Sequence, residues 1–405
     1  MNQIRENATI PAFAGGVSIR DTFLPFCKPY IGDEEKREVI SALESGWLST
    51  GPRVKQFEQS MQEYLGVKHS IALSSCTAGL HLALVAGGIQ PGDEVITSPF
   101  TFVSTANVIL HVGAKPVFVD IDPNTYNMDT GKIEERISER TKAIIPVHYA
   151  GQACDMDPIM EVARKHKLLV IEDAAHGIGT KYKGRLLGSW DDRVTVFSFY
   201  ATKTMTTGEG GLIATGMDDI AQKSRILSLH GITHDAWKRY SATGSWYYEV
   251  MAPGYKYNMT DIQAALGICQ LKRLEEFIQR REQICQIYDT AFKAMEEIIT
   301  PKVSLHTRHA RYIYPILVQQ SLLKINRSQF VEALKAENIG TSVHFIPVHL
   351  HPYYRDMFGY RRGDYPVTES VYDSLISLPL FPHMTNQDIQ DTVEAVQRIV
   401  RYYRK

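Results

Sequence analysis

Between residues 57 and 215, short runs of apolar, β-branched residues alternate with amphipathic stretches of helical period, and nothing else in the sequence restricts the fold as strongly. Parallel strands need a crossover helix between them, so this rhythm is that of a βαβ protein. Strands are expected at residues 70–73, 94–98, 115–120, 141–147, 168–172, 194–199 and 212–215. Several are apolar on successive residues, which predicts a sheet covered on both faces. Helix signals fall between them. At residues 33–45, Glu34 and Glu35 suit the positive helix start, Val39, Ile40 and Leu43 share a face, and Gly46 supplies the stop. Farther on, residues 261–295 read as a long helix, 311–318 as a strand, 328–337 as a helix, 341–345 as a strand and 386–403 as a closing helix. A domain change is expected at residues 267–275, within the long helix.

The 405 residues are 44% hydrophobic and 22% charged, enough apolar side chain for a large core. With 44 Lys plus Arg against 45 Asp plus Glu, no whole-molecule field draws the chain to nucleic acid or an anionic membrane, so any phosphate recognition is local. No window approaches the roughly 18 apolar residues that span a bilayer, and the first residues lack a signal-like apolar run. A soluble cytoplasmic protein is expected. Cys27, Cys76, Cys154, Cys269 and Cys285 lack CxxC spacing, which argues for reduced thiols rather than a disulfide framework or a zinc site. The segment 230–255, rich in Gly, Trp, Tyr and Ser, is too long for a plain connector and is expected to cover a site.

The chemistry concentrates in four places. Asp173 ends one apolar strand, and Lys203 follows the next, beside Gly208, Gly210 and Gly211. Ligand sites form at the carboxyl edge of open α/β sheets. A lysine there can condense with a carbonyl, and a nearby carboxylate can keep a pyridine nitrogen protonated, which together describe a pyridoxal phosphate site. Residues 71–80 are a strand, then small hydroxylic residues, then a helix start near Thr77; backbone amides at a helix start hold a phosphate. Ser198 offers one more hydroxyl. In residues 97–105, TSPFTFVST, Phe102 can stack on a flat ring. Each residue alone also has an ordinary duty as a cap, a core ring or a solvated charge. The basic run 181–185 reads either as a contact for a nucleotide diphosphate or as a solvated hairpin.

The motifs SSCTAGL, TSPFTFVST, IPVHYAG, VIEDAAHGIG, SFYATKTMTTGEGG and APGYKYNMTDIQAALG follow in one order over nearly the whole chain. Together with FLPFCKPYIGDEE, GWLSTGP, SVHFIPVHLHPYY and SLPLFP, they resemble the DegT-type nucleotide-sugar aminotransferases. Within that family the chain is most similar to enzymes that aminate a UDP-linked 4-keto-pentose for lipid A modification.

The resemblance implies an α/β chain of pyridoxal phosphate fold type I, aspartate aminotransferase-like. It has a mixed, mostly parallel seven-stranded sheet and a smaller C-terminal α/β domain, with residues 1–24 as an extension, 25–267 as the large domain and 268–405 as the small one. It implies homodimers with shared active sites. By position, Lys203 bonds pyridoxal 5'-phosphate and serves as general base and acid, Asp173 pairs with the ring nitrogen, Phe102 stacks on the ring, and His176 lies near its 3-hydroxyl or the substrate. Thr77, Ala78 and Ser198 bind the phosphate, and either Lys256 or Asn258 reaches the neighbouring subunit's phosphate. Tyr200 and His349 lie on the sugar side. L-glutamate is the implied donor and a nucleotide-linked keto sugar, UDP- or dTDP-4-keto, the acceptor, in lipopolysaccharide or other polysaccharide assembly.

Three other functions compete. Dehydratases of the same family carry His in place of Lys203, so the lysine speaks for transamination. Aminotransferases of keto-inositols share the cofactor motifs. A non-catalytic regulatory protein on the fold would have no need of Asp173, Lys203 and the phosphate turn together.

Overall fold

A computed structural model describes residues 10–232 and 247–405. Its central sheet contains β1 (His69–Leu73), β2 (Glu94–Thr97), β3 (Lys115–Phe118), β4 (Thr141–Ile145) and β5 (Leu169–Ala174). A small hairpin follows, β6 (Lys181–Tyr182) and β7 (Arg185–Leu186), and then β8 (Val194–Ser198) and β9 (Gly211–Thr215) complete the sheet. The seven strands run in the order β1-β9-β8-β5-β4-β2-β3, parallel except for β9, which is antiparallel to both neighbours. Every residue of β2, β8 and β9 is buried, as successive apolar residues require of strands covered on both faces.

The helices in chain order are α1 (Asp33–Glu44), α2 (Pro52–Leu65), α3 (Cys76–Ala86), α4 (Val103–His111), α5 (Met156–His166), α6 (Asp218–Leu227) and α7 (Asp261–Phe292). Glycine opens α1, so the cap comes from Glu35, whose carboxylate accepts from the Gly32 amide at 2.8 Å. Gly46, just past the end, takes φ 75°. The expected domain change at 267–275 falls inside α7, which continues unbroken. Leu274 and Ile278 pack with the large-sheet core, whereas Ile284, Tyr288 and Phe292 pack into a second core.

That second core lies around a three-stranded antiparallel sheet: β10 (Ile298–Ile299), β12 (Tyr314–Val318) and β13 (Leu375–Leu378), with β11 (Thr307–Arg308) pairing instead with β6. Helices α8 (Arg327–Ala336), α9 (Pro352–Phe358), α10 (Pro366–Ser374) and α11 (Asn386–Tyr403) complete the chain. The architecture is the expected α/β one, a mixed and mostly parallel seven-stranded sheet followed by a smaller α/β unit. Residues 10–24 are fastened to that unit: buried Glu337 accepts from the amides of Ala12 and Ile19, and Leu24 joins the second core.

Two expectations at strand ends are corrected. Residues 341–345 form no strand; Ser342 alone bridges to Ser377. Residues 311–313 precede β12, because Arg311 takes φ 53° and the Tyr312 amide donates to the Ala150 carbonyl across the site.

Asp261 holds the GWLSTGP segment in place. Gly51 at the head of α2 has no side chain to cap the helix, and the fully buried Asp261 carboxylate accepts from the amides of Gly51, Arg53 and Val54 at 2.8, 3.1 and 3.0 Å. Replacing it with alanine strands three donors, two of them buried. Asp261→Ala is expected to lower stability by about 2–4 kcal/mol in urea unfolding; a loss below about 0.5 kcal/mol would contradict this capping role.

Candidate active site

Because β1, β2, β4, β5 and β8 are parallel, the turns that follow them open on one edge of the sheet, and the antiparallel β9 begins there. Asp173 lies near the end of β5. Its side chain is buried, with Oδ2 accepting from the Thr105 hydroxyl at 2.7 Å and Oδ1 from the Ala175 amide at 3.1 Å. Thr105 gives its proton to the carboxylate, so the 2.8 Å contact with Thr101 has Thr101 as donor. Both threonines belong to the TSPFTFVST motif, which thereby orients a carboxylate from another strand.

Lys203 stands in the turn after β8, half-buried, with its amide donating to the Tyr200 carbonyl at 2.9 Å. Its Nζ lies 4.5 Å from the centre of the Tyr312 ring. The preceding Thr202 meets the Tyr312 hydroxyl at 3.1 Å, and the Cys27 thiol donates to the Thr202 carbonyl at 3.3 Å.

His176 is packed against Tyr312, ring centres 4.3 Å apart, and stacks on Phe345 at 5.7 Å. Burial, helped by the nearby charge of Lys203 and by His344, pushes its pKa well below the usual imidazole value. The ring is neutral at neutral pH. Its Nδ1 accepts from the Ala150 amide at 3.3 Å, which leaves the proton on Nε2.

The turn between β1 and α3 is assembled from three strands. Ser75 caps α3 by accepting from the Ala78 amide at 3.0 Å. Gly211 is paired with both Leu73 and Ser198 and is pressed onto the turn, so that a Cβ there would lie 2.3 Å from the Ser75 carbonyl carbon. Only glycine permits this approach, and it brings Ser198 alongside the helix start. The Ala78 amide is committed to Ser75, so the amides of Cys76 and Thr77 are those left to face an anion.

Phe102 precedes α4 and is 58% exposed, its ring centre 6.0 Å from that of Phe345, and Tyr200 is also exposed. Lys256 and Asn258 lie side by side: Lys256 Nζ donates to Asn258 Oδ1 at 2.7 Å, and Asn258 Nδ2 donates to Thr50 at 2.6 Å. Asn258 is bridged to Leu73, at the end of β1 just before the turn into α3. His349 differs from the exposed group a substrate contact suggests. It is 0% exposed, and its Nε2 donates to Glu369 at 2.9 Å, while Nδ1 has no hydrogen-bond partner among the described residues.

The run 181–185 is a hairpin whose turn places Lys183 and Gly184 at φ 47° and 81°. Arg185 stacks on Trp190, Lys183 pairs with Asp157 at the start of α5, and β6 pairs with β11. Tyr312, Thr105 and Phe345 join the site without a sequence signal of their own. Segment 230–255 lies partly outside the described residues; within it Ile232 is bridged to Val250, and just outside it Leu229 is bridged to Lys256.

A buried carboxylate, a reachable amine, an exposed aromatic ring and free amides at a helix start are the donor set that pyridoxal phosphate requires, and the residues fit it. Residues 29–397 match the DegT/DnrJ/EryC1/StrS aminotransferase family. The chain belongs to that family. It is a pyridoxal phosphate-dependent sugar aminotransferase. This aminotransferase is 55% identical over 386 residues to the spore coat polysaccharide biosynthesis protein SpsC of Bacillus subtilis, covering 95% of this chain and 99% of that protein. Among solved structures, it is similar to the PLP-form of Spr1654 from Streptococcus pneumoniae, with a TM-score of 0.87, 34% identity, and 94% and 99% of the two chains covered. It is also similar to Helicobacter pylori PseC, an aminotransferase involved in the biosynthesis of pseudoaminic acid, with a TM-score of 0.86, 30% identity, and 95% and 100% covered. Among the described residues of the aminotransferase, no helix is long and apolar enough to cross a membrane.

Proposed function

We propose that the enzyme takes an amino group from L-glutamate and places it on a nucleotide-linked keto sugar, specifically a UDP- or dTDP-4-keto sugar. The observation that carries the reading is the meeting of the Lys203 amine, the Asp173 carboxylate and the α3 amides at one sheet edge. Likeness to SpsC and PseC supports a sugar of surface polysaccharide or sialic acid-like assembly as the product.

Bound pyridoxal phosphate supplies an aldehyde for amines and a protonated ring that draws electrons from a carbon losing its proton. The chain's own residues do the rest. Asp173, fixed by Thr105 and Ala175, holds the proton on the ring nitrogen. Lys203 would hold the cofactor covalently at rest, and its freed amine would take up and return the proton of the substrate carbon. Thr77 and Ser198, with the amides of Cys76 and Thr77, bind the phosphate; Phe102 covers the ring and excludes water from one face. His176 presents Nε2–H to the ring hydroxyl or the substrate.

Tyr200 lies toward the sugar, and His349 has only Nδ1 to offer it. The enzyme works as a homodimer in which Lys256 or Asn258 completes the partner's phosphate site. Exposed Val250 and Met251, close to Lys256, favour burial against a second copy. All five cysteines are free, in keeping with a cytoplasmic enzyme.

The test is amino transfer from L-glutamate to a panel of UDP- and dTDP-linked 3- and 4-keto sugars, free keto sugars and keto-inositols, with the aminated product read by mass spectrometry. The expected result is product from a nucleotide-linked 4-keto sugar only. Product from a free keto-inositol alone would overturn the acceptor assignment.

A further inference from the structure

We propose that Tyr312 is a further catalytic residue, whose ring is the berth for the Lys203 amine whenever that amine is not bonded to the cofactor. The inference rests on the role proposed for Lys203. A lysine that alternates between bonding the cofactor and carrying a proton is released in each cycle and must stay within reach through both half-reactions until it bonds the cofactor again. Among the described residues, no ion pair joins Lys203 to a carboxylate, and its Nζ lies over the Tyr312 ring, 4.5 Å from the ring centre. A π face attracts the ammonium without directional bonds and without the strong hold of a buried salt bridge, so the amine can lift off again.

The ring is built to stay where it is. The Tyr312 amide donates to the Ala150 carbonyl at 3.0 Å, and its carbonyl accepts from Arg281 Nη1 at 3.0 Å. Arg281 is 1% exposed and is also fixed by the Leu380 carbonyl at 2.9 Å. The phenol meets Thr202, next to Lys203, and His176 lies 4.3 Å from the ring. One aromatic side chain thus touches the reacting amine, its neighbour in the chain and the neutral histidine of the site. The π face is what the proposal requires; the hydroxyl is secondary.

The test compares Tyr312→Phe, which keeps the face and loses the hydroxyl, with Tyr312→Leu and Tyr312→Met, which lose the face. In the cofactor-free protein, labelling of Lys203 by an amine-directed reagent at fixed neutral pH is followed by mass spectrometry, with Lys142 as exposed reference. The Leu and Met variants are expected to label about tenfold faster, and the loaded variants to lose about tenfold in kcat with little change in KM for glutamate. Tyr312→Phe should stay within about twofold of wild type in both readouts. Met serves if Leu prevents folding, because its flexible chain fills an irregular gap. A Phe variant as impaired as Met, or face-less variants that behave as wild type, would overturn the proposal. Lys203→Ala run beside them separates the two claims: if it turns over normally the role of Lys203 fails, and if it is inactive while the Tyr312 variants are normal only the berth fails.

Discussion

Lys203→Ala is expected to lose at least about four orders of magnitude in turnover while remaining folded, because one substitution removes both the amine that bonds the cofactor and the group that moves the proton. The side chain is half-buried, and its described contact is the Tyr312 ring, so truncation leaves no carboxylate unpaired and no core cavity. Its thermal midpoint should therefore stay within a few degrees of wild type, about the effect of a surface substitution. Exogenous small amines should restore part of the activity, since the pocket that held Nζ remains. A stable Lys203→Ala protein that transfers amino groups at more than about a tenth of the wild-type rate would contradict the assignment.

Asp173→Asn is the second large effect, expected at about a thousandfold in kcat. An amide cannot hold a proton on the ring nitrogen, and the substitution also disturbs the local hydrogen bonds. Both carboxylate oxygens accept, one from Thr105 and one from Ala175, whereas an asparagine has a single acceptor oxygen. Either the Thr101–Thr105 chain reverses or a donor faces a donor. Bound cofactor should dissociate faster as well. Glu172 is the natural control: it is adjacent in the strand, so it points to the other face, where it is held by Arg193 and Thr195. Glu172→Gln should lower stability and leave kcat close to wild type. Equal kcat losses for the two variants would show that the Asp173 effect is merely structural.

The sheet was legible because its strands are short, apolar and separated by helix signals, and the Asp173 and Lys203 turns follow from which ends of parallel strands coincide. Less legible were contacts whose residues lie far apart in the chain. Thr105 reads as an ordinary hydroxyl near a helix start, and only the pairing of β2, β4 and β5 carries it to Asp173. Tyr312 sits in RYIYPILV, which reads as a plain strand, yet the strand begins at Tyr314 because the Tyr312 amide bonds across the site instead of along a ladder. Residues 341–345 likewise have a β-branched pattern, but the His344 carbonyl accepts from Tyr149 and Phe345 packs on His176, which pulls the backbone away from a strand partner. The setting of His349 was not legible either: it is buried, with Glu369 accepting from one of its two nitrogens.

The most direct test of the account is to load the protein with pyridoxal phosphate, reduce it with borohydride and locate the fixed pyridoxyl group by peptide mass spectrometry. The account predicts the group on Lys203, and its absence after prior reaction with L-glutamate, which would leave the lysine free. A pyridoxyl group on Lys256, Lys28 or any other lysine, with Lys203 unmodified, would contradict it.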